Sequence, residues 1–177
     1  MSVAGILKAV FGSKSDRDMK QVKPILNKIL ALYPEIDALS DDDLRAHSAA
    51  LREKLIAVEA PFEKRAEEIR AEMEQDIPVS EKEKLAGESE KLVKDEDEAI
   101  EKALDGILPE AFAIMKSTAR RFKENESIRV TATDFDRSLA ASGKDFVSIE
   151  TDGERDVAVW HNHWVAGGNE TTWDMVH

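Results

Sequence analysis

"IPVSEKE", residues 77–83, decides how this chain folds. A long charged stretch with a narrow apolar stripe lies on each side of it. Before it, Leu44, Leu51, Leu55, Val58, Phe62, Ile69 and Met73 recur at steps of three, four or seven. After it, Leu85, Leu92, Val93, Ile100 and Leu104 follow a similar rhythm. Such spacing lines apolar side chains along one face of a helix. Within the quoted stretch, Pro78 stops the first helix, Ser80 caps the second, and Glu83 closes a capping box. Residues 41–105 are therefore expected to be mostly an antiparallel helical hairpin.

The first helix of that hairpin has a strong start signal in "SDDDL", residues 40–44. Ser40 caps, and three aspartates sit at the positive end of the helix dipole. Pro61 conflicts with one continuous helix and divides the stretch in two. Further upstream, "SVAGILKAVF" reads as a short amphipathic helix ended by Gly12. Ser15 then caps another helix, whose apolar face holds Met19, Val22, Ile25, Leu26 and Ile29. Pro24 kinks that helix or marks its late start, and Pro34 ends it after Tyr33.

Downstream, "GILPEAFAIMKSTARRF" opens a further helix. Gly106 separates it from the hairpin and Pro109 falls in its first turn. Phe112, Met115 and Ala119 line one side, and Lys116, Arg120 and Arg121 stand near its end. After Lys123 the pattern changes. "SIRVTATDF" and "DFVSIE" alternate in part, "TDGER" is a turn, and "DVAVWHNHWVAGG" alternates clearly. Val157, Val159, His161 and His163 fall on one face of that last run; Ala158, Trp160, Asn162 and Trp164 fall on the other. The expected fold is mainly α, a helical hairpin, with a small antiparallel β element near the C-terminus.

Composition narrows the function classes. A formal net charge of −12 argues against general nucleic-acid binding. The absence of cysteine excludes disulfides and thiolate metal sites from these residues. No apolar run is long enough to span a bilayer. The charge is unevenly spread, with Lys8, Lys14, Arg17, Lys20 and Lys23 set against only Asp16 and Asp18 in residues 1–25. A basic, apolar head on an acidic body either lies on an anionic membrane surface or packs Ile6, Leu7 and Val10 onto its own protein.

Three other patterns invite chemistry. His161 and His163 share a side if they share a strand, so together they form half of a metal site. A third ligand would have to be Asp156, Asp174 or His177, and His-x-His alone is a weak signal; two ordinary strand histidines are the simpler reading. "SGKDF" has a Gly-Lys pair, but a phosphate loop needs a glycine where Ser138 stands and a hydroxyl residue where Asp145 stands. The acids of the hairpin lack apolar shielding, so they read as a solvated helix surface rather than as acid–base catalysts.

Several stretches, in order, resemble SecA, the motor ATPase of bacterial protein export. They are "VFGSKSDRDMKQVKPILNKILALYPEIDALSDDDLRAHSAALREKL", then "ILPEAFA" with "STARRF", then "WDMVH". Together they cover a little under half of the chain. Relative to shorter family members, about 57–105 and about 124–170 look like insertions. The resemblance divides the chain into a basic N-terminal helix and its successor (1–34) and helices leading into the first nucleotide-binding domain (35–56 and 106–123). It adds the inserted hairpin (57–105), the inserted β segment (124–170), and the start of an adenine-side motif (171–177).

The resemblance also implies a function. The full family motor is α/β, with a P-loop, DEAD-like architecture, and it uses ATP and Mg2+ to drive preproteins with signal sequences through the SecYEG channel. It works from the cytoplasm, peripherally bound at the inner membrane. Met175 and His177 match the segment beside adenine. Leu7, Lys8, Val10, Phe11, Lys14, Arg17, Lys20 and Lys23 match the region that meets acidic phospholipids and the channel. A homodimer is among its assemblies; nucleic acid is not among its partners. The Walker loop would follow beyond residue 177, so these residues are expected to be an N-terminal fragment, inactive alone, with no catalytic residue and no metal ligand. The competing reading is a stand-alone, non-catalytic helical adaptor that uses its hairpin as a binding arm.

Overall fold

A computed structural model describes residues 14–175. Three helices come first: α1 (Lys14–Asp37), α2 (Asp41–Met73) and α3 (Val79–Glu124). Then follow β1 (Ser127–Thr131), α4 (Asp134–Ala141), β2 (Val147–Asp152), β3 (Arg155–His161), β4 (His163–Ala166) and β5 (Asn169–Thr172). The chain is mainly α with a small antiparallel β element, as the hydrophobic rhythm requires.

The residues group into two compact units. One is the hairpin proper, Arg45–Ala111. Its core holds Leu51, Ile69 and Leu85, all under 9% exposed. Val93 and Leu104, assigned to the stripe by spacing, are 55% and 45% exposed. Polar groups staple the two helices. Arg65 reaches Glu88 across the hairpin at 2.8 Å and binds Glu68 and Glu72 on its own helix at 3.1 and 3.0 Å. His47 and Lys54 both bind Glu110.

The prolines and Gly106 behave differently from their sequence reading. Pro34 does not end α1, which runs on to Asp37, and Pro61 does not divide α2. Neither Gly106 nor Pro109 starts a helix, because α3 is continuous through both. A glycine costs a helix about 1 kcal/mol and a proline about 3, and the packing of a long helix outweighs both. Ser80 lies inside α3 rather than at its cap; the carbonyl of Pro78 accepts the first bonds, from Glu81 and Lys82. Ser15 likewise lies inside α1. Ser40 caps as expected, accepting the Asp43 N–H at 3.1 Å and donating its hydroxyl to the Asp43 carboxylate at 2.7 Å.

The other unit comprises the described residues up to Leu44 together with those from Phe112 onward. Its sheet has the strand order β1-β3-β2, all antiparallel. Ala158, fully buried, pairs with Val130 on one side and Ile149 on the other. Trp160 pairs with Ile128 and Val147, so one face of the sheet is continuously apolar. On the opposite face Arg129 and Glu150 meet at 2.6 Å across β3.

Two features of this unit depart from the sequence reading. The strand does not run on through "TATDF": β1 ends at Thr131 and α4 starts at Asp134, where Thr133 and Asp136 cap each other reciprocally. The run 155–166 is not one strand, because it bends at Asn162 and His163 begins β4, in a second sheet with β5. The β4–β5 turn is Gly167-Gly168, both with positive φ (59° and 81°), as a tight hairpin of this hand requires.

Candidate functional site

The richest polar cluster joins the end of α1, the start of α2 and the last turns of α3. Ser117, fully buried, donates its hydroxyl to Asp37 at 2.8 Å. Arg120 donates to the same carboxylate oxygen from Nε at 3.1 Å and Nη2 at 2.9 Å, and also binds Glu124. Arg121, 8% exposed, pairs with Asp41 and donates to the carbonyls of Asp37 and Leu39 at 3.3 and 2.6 Å. It therefore holds the corner between α1 and α2 by two carbonyls, that of the last residue of α1 and that of Leu39.

Charge follows geometry here. Burial pushes the Asp37 carboxyl up, but the Ser117 and Arg120 hydrogen bonds and the Arg120 charge outweigh it, so Asp37 titrates below the usual carboxylate range. Burial pushes the Tyr33 hydroxyl up, against the hydrogen bond with Arg120. The Lys116 ammonium stands 5.7 Å from the centre of the Tyr33 ring. This is a structural lock, built from groups whose charges are matched.

The second cluster surrounds Asp136, which is fully buried. Its carboxylate accepts the Thr133 N–H at 2.7 Å, the Thr133 hydroxyl at 2.8 Å and the Trp160 indole N–H at 3.2 Å. One residue thereby caps α4 and ties it to β3. The Asp37 and Asp136 clusters were not anticipated. A signal for the second stood in the sequence as the Thr-x-x-Asp spacing of a capping box.

Beside the sheet lies an apolar cleft of about 420 Å³. Met115, Ala119 and Phe122 of α3 form one wall; Phe146, Trp164 and Trp173 form the other. Asn162 fixes the corner of the cleft. Its side-chain amide donates to the Phe122 carbonyl at 3.2 Å and its main-chain carbonyl accepts the Trp173 main-chain N–H at 2.7 Å.

Leu7, Lys8, Val10, Phe11 and His177 lie outside the described residues. Lys14 and Arg17 fall in the first turns of α1. Lys20 and Lys23 are exposed on the same helix, beside an apolar face that is itself uncovered: Met19, Val22, Leu26 and Leu30 are 41–52% exposed. No described helix is long and apolar enough to cross a membrane. Met175 is 58% exposed, and its carbonyl accepts the Trp173 indole N–H at 2.7 Å. His161 and His163 lie in different sheets, with rings 5.3 Å apart. Asp156, a proposed third ligand, is instead engaged by Arg137 and Thr151. Among the described residues no three His, Asp or Glu side chains are grouped to hold a metal.

The Gly143-Lys144 pair does not fit a nucleotide phosphate either. Gly143 and Lys144 follow the C-terminal end of α4, and the N–H groups of Ser142 and Gly143 bond back to helix carbonyls. Phosphates are bound at the opposite, N-terminal, end of a helix, where N–H groups point outward.

Comparison with known proteins gives the family. The model of the SecA DEAD-like domain matches residues 7–136. The protein translocase subunit SecA of Phocaeicola vulgatus is 50% identical over 168 residues, 95% of this chain and 15% of that protein. That of Bacteroides fragilis is 48% identical over 171 residues, 97% of this chain and 15% of its own length. That of Porphyromonas gingivalis W83 is 50% identical over 95% of this chain and 15% of its own. These alignments extend through the long hairpin and the β segment, so both are shared with these relatives. No solved structure matches. The chain spans about 15% of the length of the curated relatives it matches, and it belongs to the SecA family.

Proposed function

We propose that this chain is the N-terminal region of a SecA-type translocase subunit that couples ATP hydrolysis, with Mg2+, to movement of preproteins through the SecYEG channel. The observation that carries this reading is the family match over residues 7–136. ATP and magnesium are used by parts of the protein outside these residues, and this chain alone hydrolyses nothing. Met175 and His177 border the adenine pocket of the complete motor.

The contribution of this region is at the membrane. The segment holding Leu7, Lys8, Val10, Phe11, Lys14 and Arg17, continued by Lys20 and Lys23 on α1, docks on acidic phospholipids at the cytoplasmic side and leads the motor to the channel. The uncovered apolar face of α1 supports this, because a lysine-flanked apolar helix face suits an anionic bilayer surface. Each lysine near such a surface contributes on the order of 1 kcal/mol, weakened by salt.

Two measurements test the reading. The full-length protein should hydrolyse ATP faster when SecYEG vesicles and a preprotein are added; a rate indifferent to both overturns the translocase assignment. For this chain, deleting residues 1–11 should weaken sedimentation with phosphatidylglycerol vesicles at low salt. Equal binding by both forms would make the segment a packing element only.

A further inference from the structure

Helix α3 is continuous over 46 residues, yet it carries Gly106 and Pro109 three residues apart in its interior. Packing does not explain Gly106: a Cβ placed there meets nothing within 4 Å, and its φ is not positive. The glycine is therefore not required by a close neighbour or by a special backbone conformation. It simply lowers the local helix stability relative to alanine. Pro109 adds a second defect in the same turn, because it has no N–H to give the Asp105 carbonyl. Lys102, Leu104, Asp105 and Gly106 are all exposed, so the start of this turn has little side-chain cover, whereas Ile107 and Leu108 are half-buried and Pro109 is buried. Directly after the defect, Glu110 is clipped by His47 and by Lys54 at 3.4 Å, which fixes the chain on one side of the weak turn.

We propose that residues 105–109 form a hinge within α3, a turn that opens and bends while the helix on either side stays intact. Glycine removes the stiffness, proline removes the bond, and the Glu110 clip confines the opening to one turn. Gly87 provides a comparison inside the same helix. It too is exposed with open space around it, but no proline follows within a turn.

Hydrogen–deuterium exchange on the full chain tests this. In the wild-type protein a peptide spanning 104–113 should exchange faster than one spanning 84–93. Gly106→Ala should slow the first peptide on the order of five-fold, the factor that corresponds to the helix propensity difference. Gly87→Ala should leave that peptide unchanged. Pro109→Ala, which restores the missing donor, should slow it further and serves if Gly106→Ala proves insoluble. Equal protection of the two wild-type peptides overturns the hinge. So does an unchanged 104–113 peptide in both the Gly106→Ala and the Pro109→Ala variants.

Discussion

The carboxylate of Asp42 receives two hydrogen bonds from Thr131, one from the main-chain N–H at 2.7 Å and one from the hydroxyl at 2.9 Å. Asp42 stands in the first turn of α2 and Thr131 ends β1, so one acidic side chain joins the helical part of its unit to the sheet. Its two neighbours act separately: Asp41 pairs with Arg121 and Asp43 completes the Ser40 cap. Three consecutive aspartates thus hold three different things. Asp42→Ala should lower stability by about 1–2 kcal/mol, and Thr131→Val by about 1 kcal/mol. A double-mutant cycle read by urea unfolding should show coupling between them; strict additivity would mean that the contact contributes nothing.

Arg121 should be far less tolerant of change. Its guanidinium serves one carboxylate and two carbonyls from a nearly buried position. Arg121→Met leaves those acceptors unsatisfied and should cost about 3 kcal/mol. Arg121→Lys should recover only part of that, since an ammonium cannot match the planar fork. Thermal unfolding of the two variants side by side decides it, and a lysine variant as stable as the wild type would sink the argument.

Asp37 gives the molecule an acid-sensitive corner. Although burial raises its pKa, the Ser117 and Arg120 contacts leave it net lowered in the folded state. A lowered folded pKa means that the unfolded chain takes up the proton first. The stabilisation is therefore full above the ordinary carboxylate pKa and is lost as pH falls through the lower folded value. Asp37→Asn should be less stable at neutral pH and should flatten the decline below about pH 4. Denaturation midpoints measured from pH 7 to pH 3 would expose the difference; parallel curves would contradict it.

Trp160 reports on the buried Asp136. Trp160→Phe keeps an aromatic ring on the apolar face but removes the indole donor 3.2 Å from the carboxylate. The expected loss is about 1–3 kcal/mol. Adding Asp136→Asn should not lower stability further by the full amount of each single change. Independent effects in chemical denaturation would show that the indole bond is not part of the network.

Helices, strands and their order follow from local rules that a sequence displays. The stripe from Leu44 to Met73, the cap at Ser40 and the Gly167-Gly168 turn each depend on residues close together in the chain. For the same reason the amphipathic α1 and the alternating β3 could be read directly. Misreadings arose where a local signal met a non-local counterweight. Pro34, Pro61, Gly106 and Pro109 all argue for breaks, but a helix packed along its length continues through them because burial outweighs one missing bond. The end of "SIRVTATDF" continues the partial alternation of β1, whereas the capping box of Thr133 and Asp136 gives Asp134 and Phe135 to α4.

The partners of charged side chains belong to tertiary structure alone. The basic end "STARRF" was visible, but nothing in it says that Arg120 seeks Asp37, 83 positions away, or that Arg121 holds the carbonyls of Asp37 and Leu39. Hydrophobic periodicity is fixed by which residues follow one another, since helix and strand repeat over a few residues. An ion pair is fixed by which elements the folded chain brings within about 3 Å, and a charge is compatible with many partners until packing chooses one.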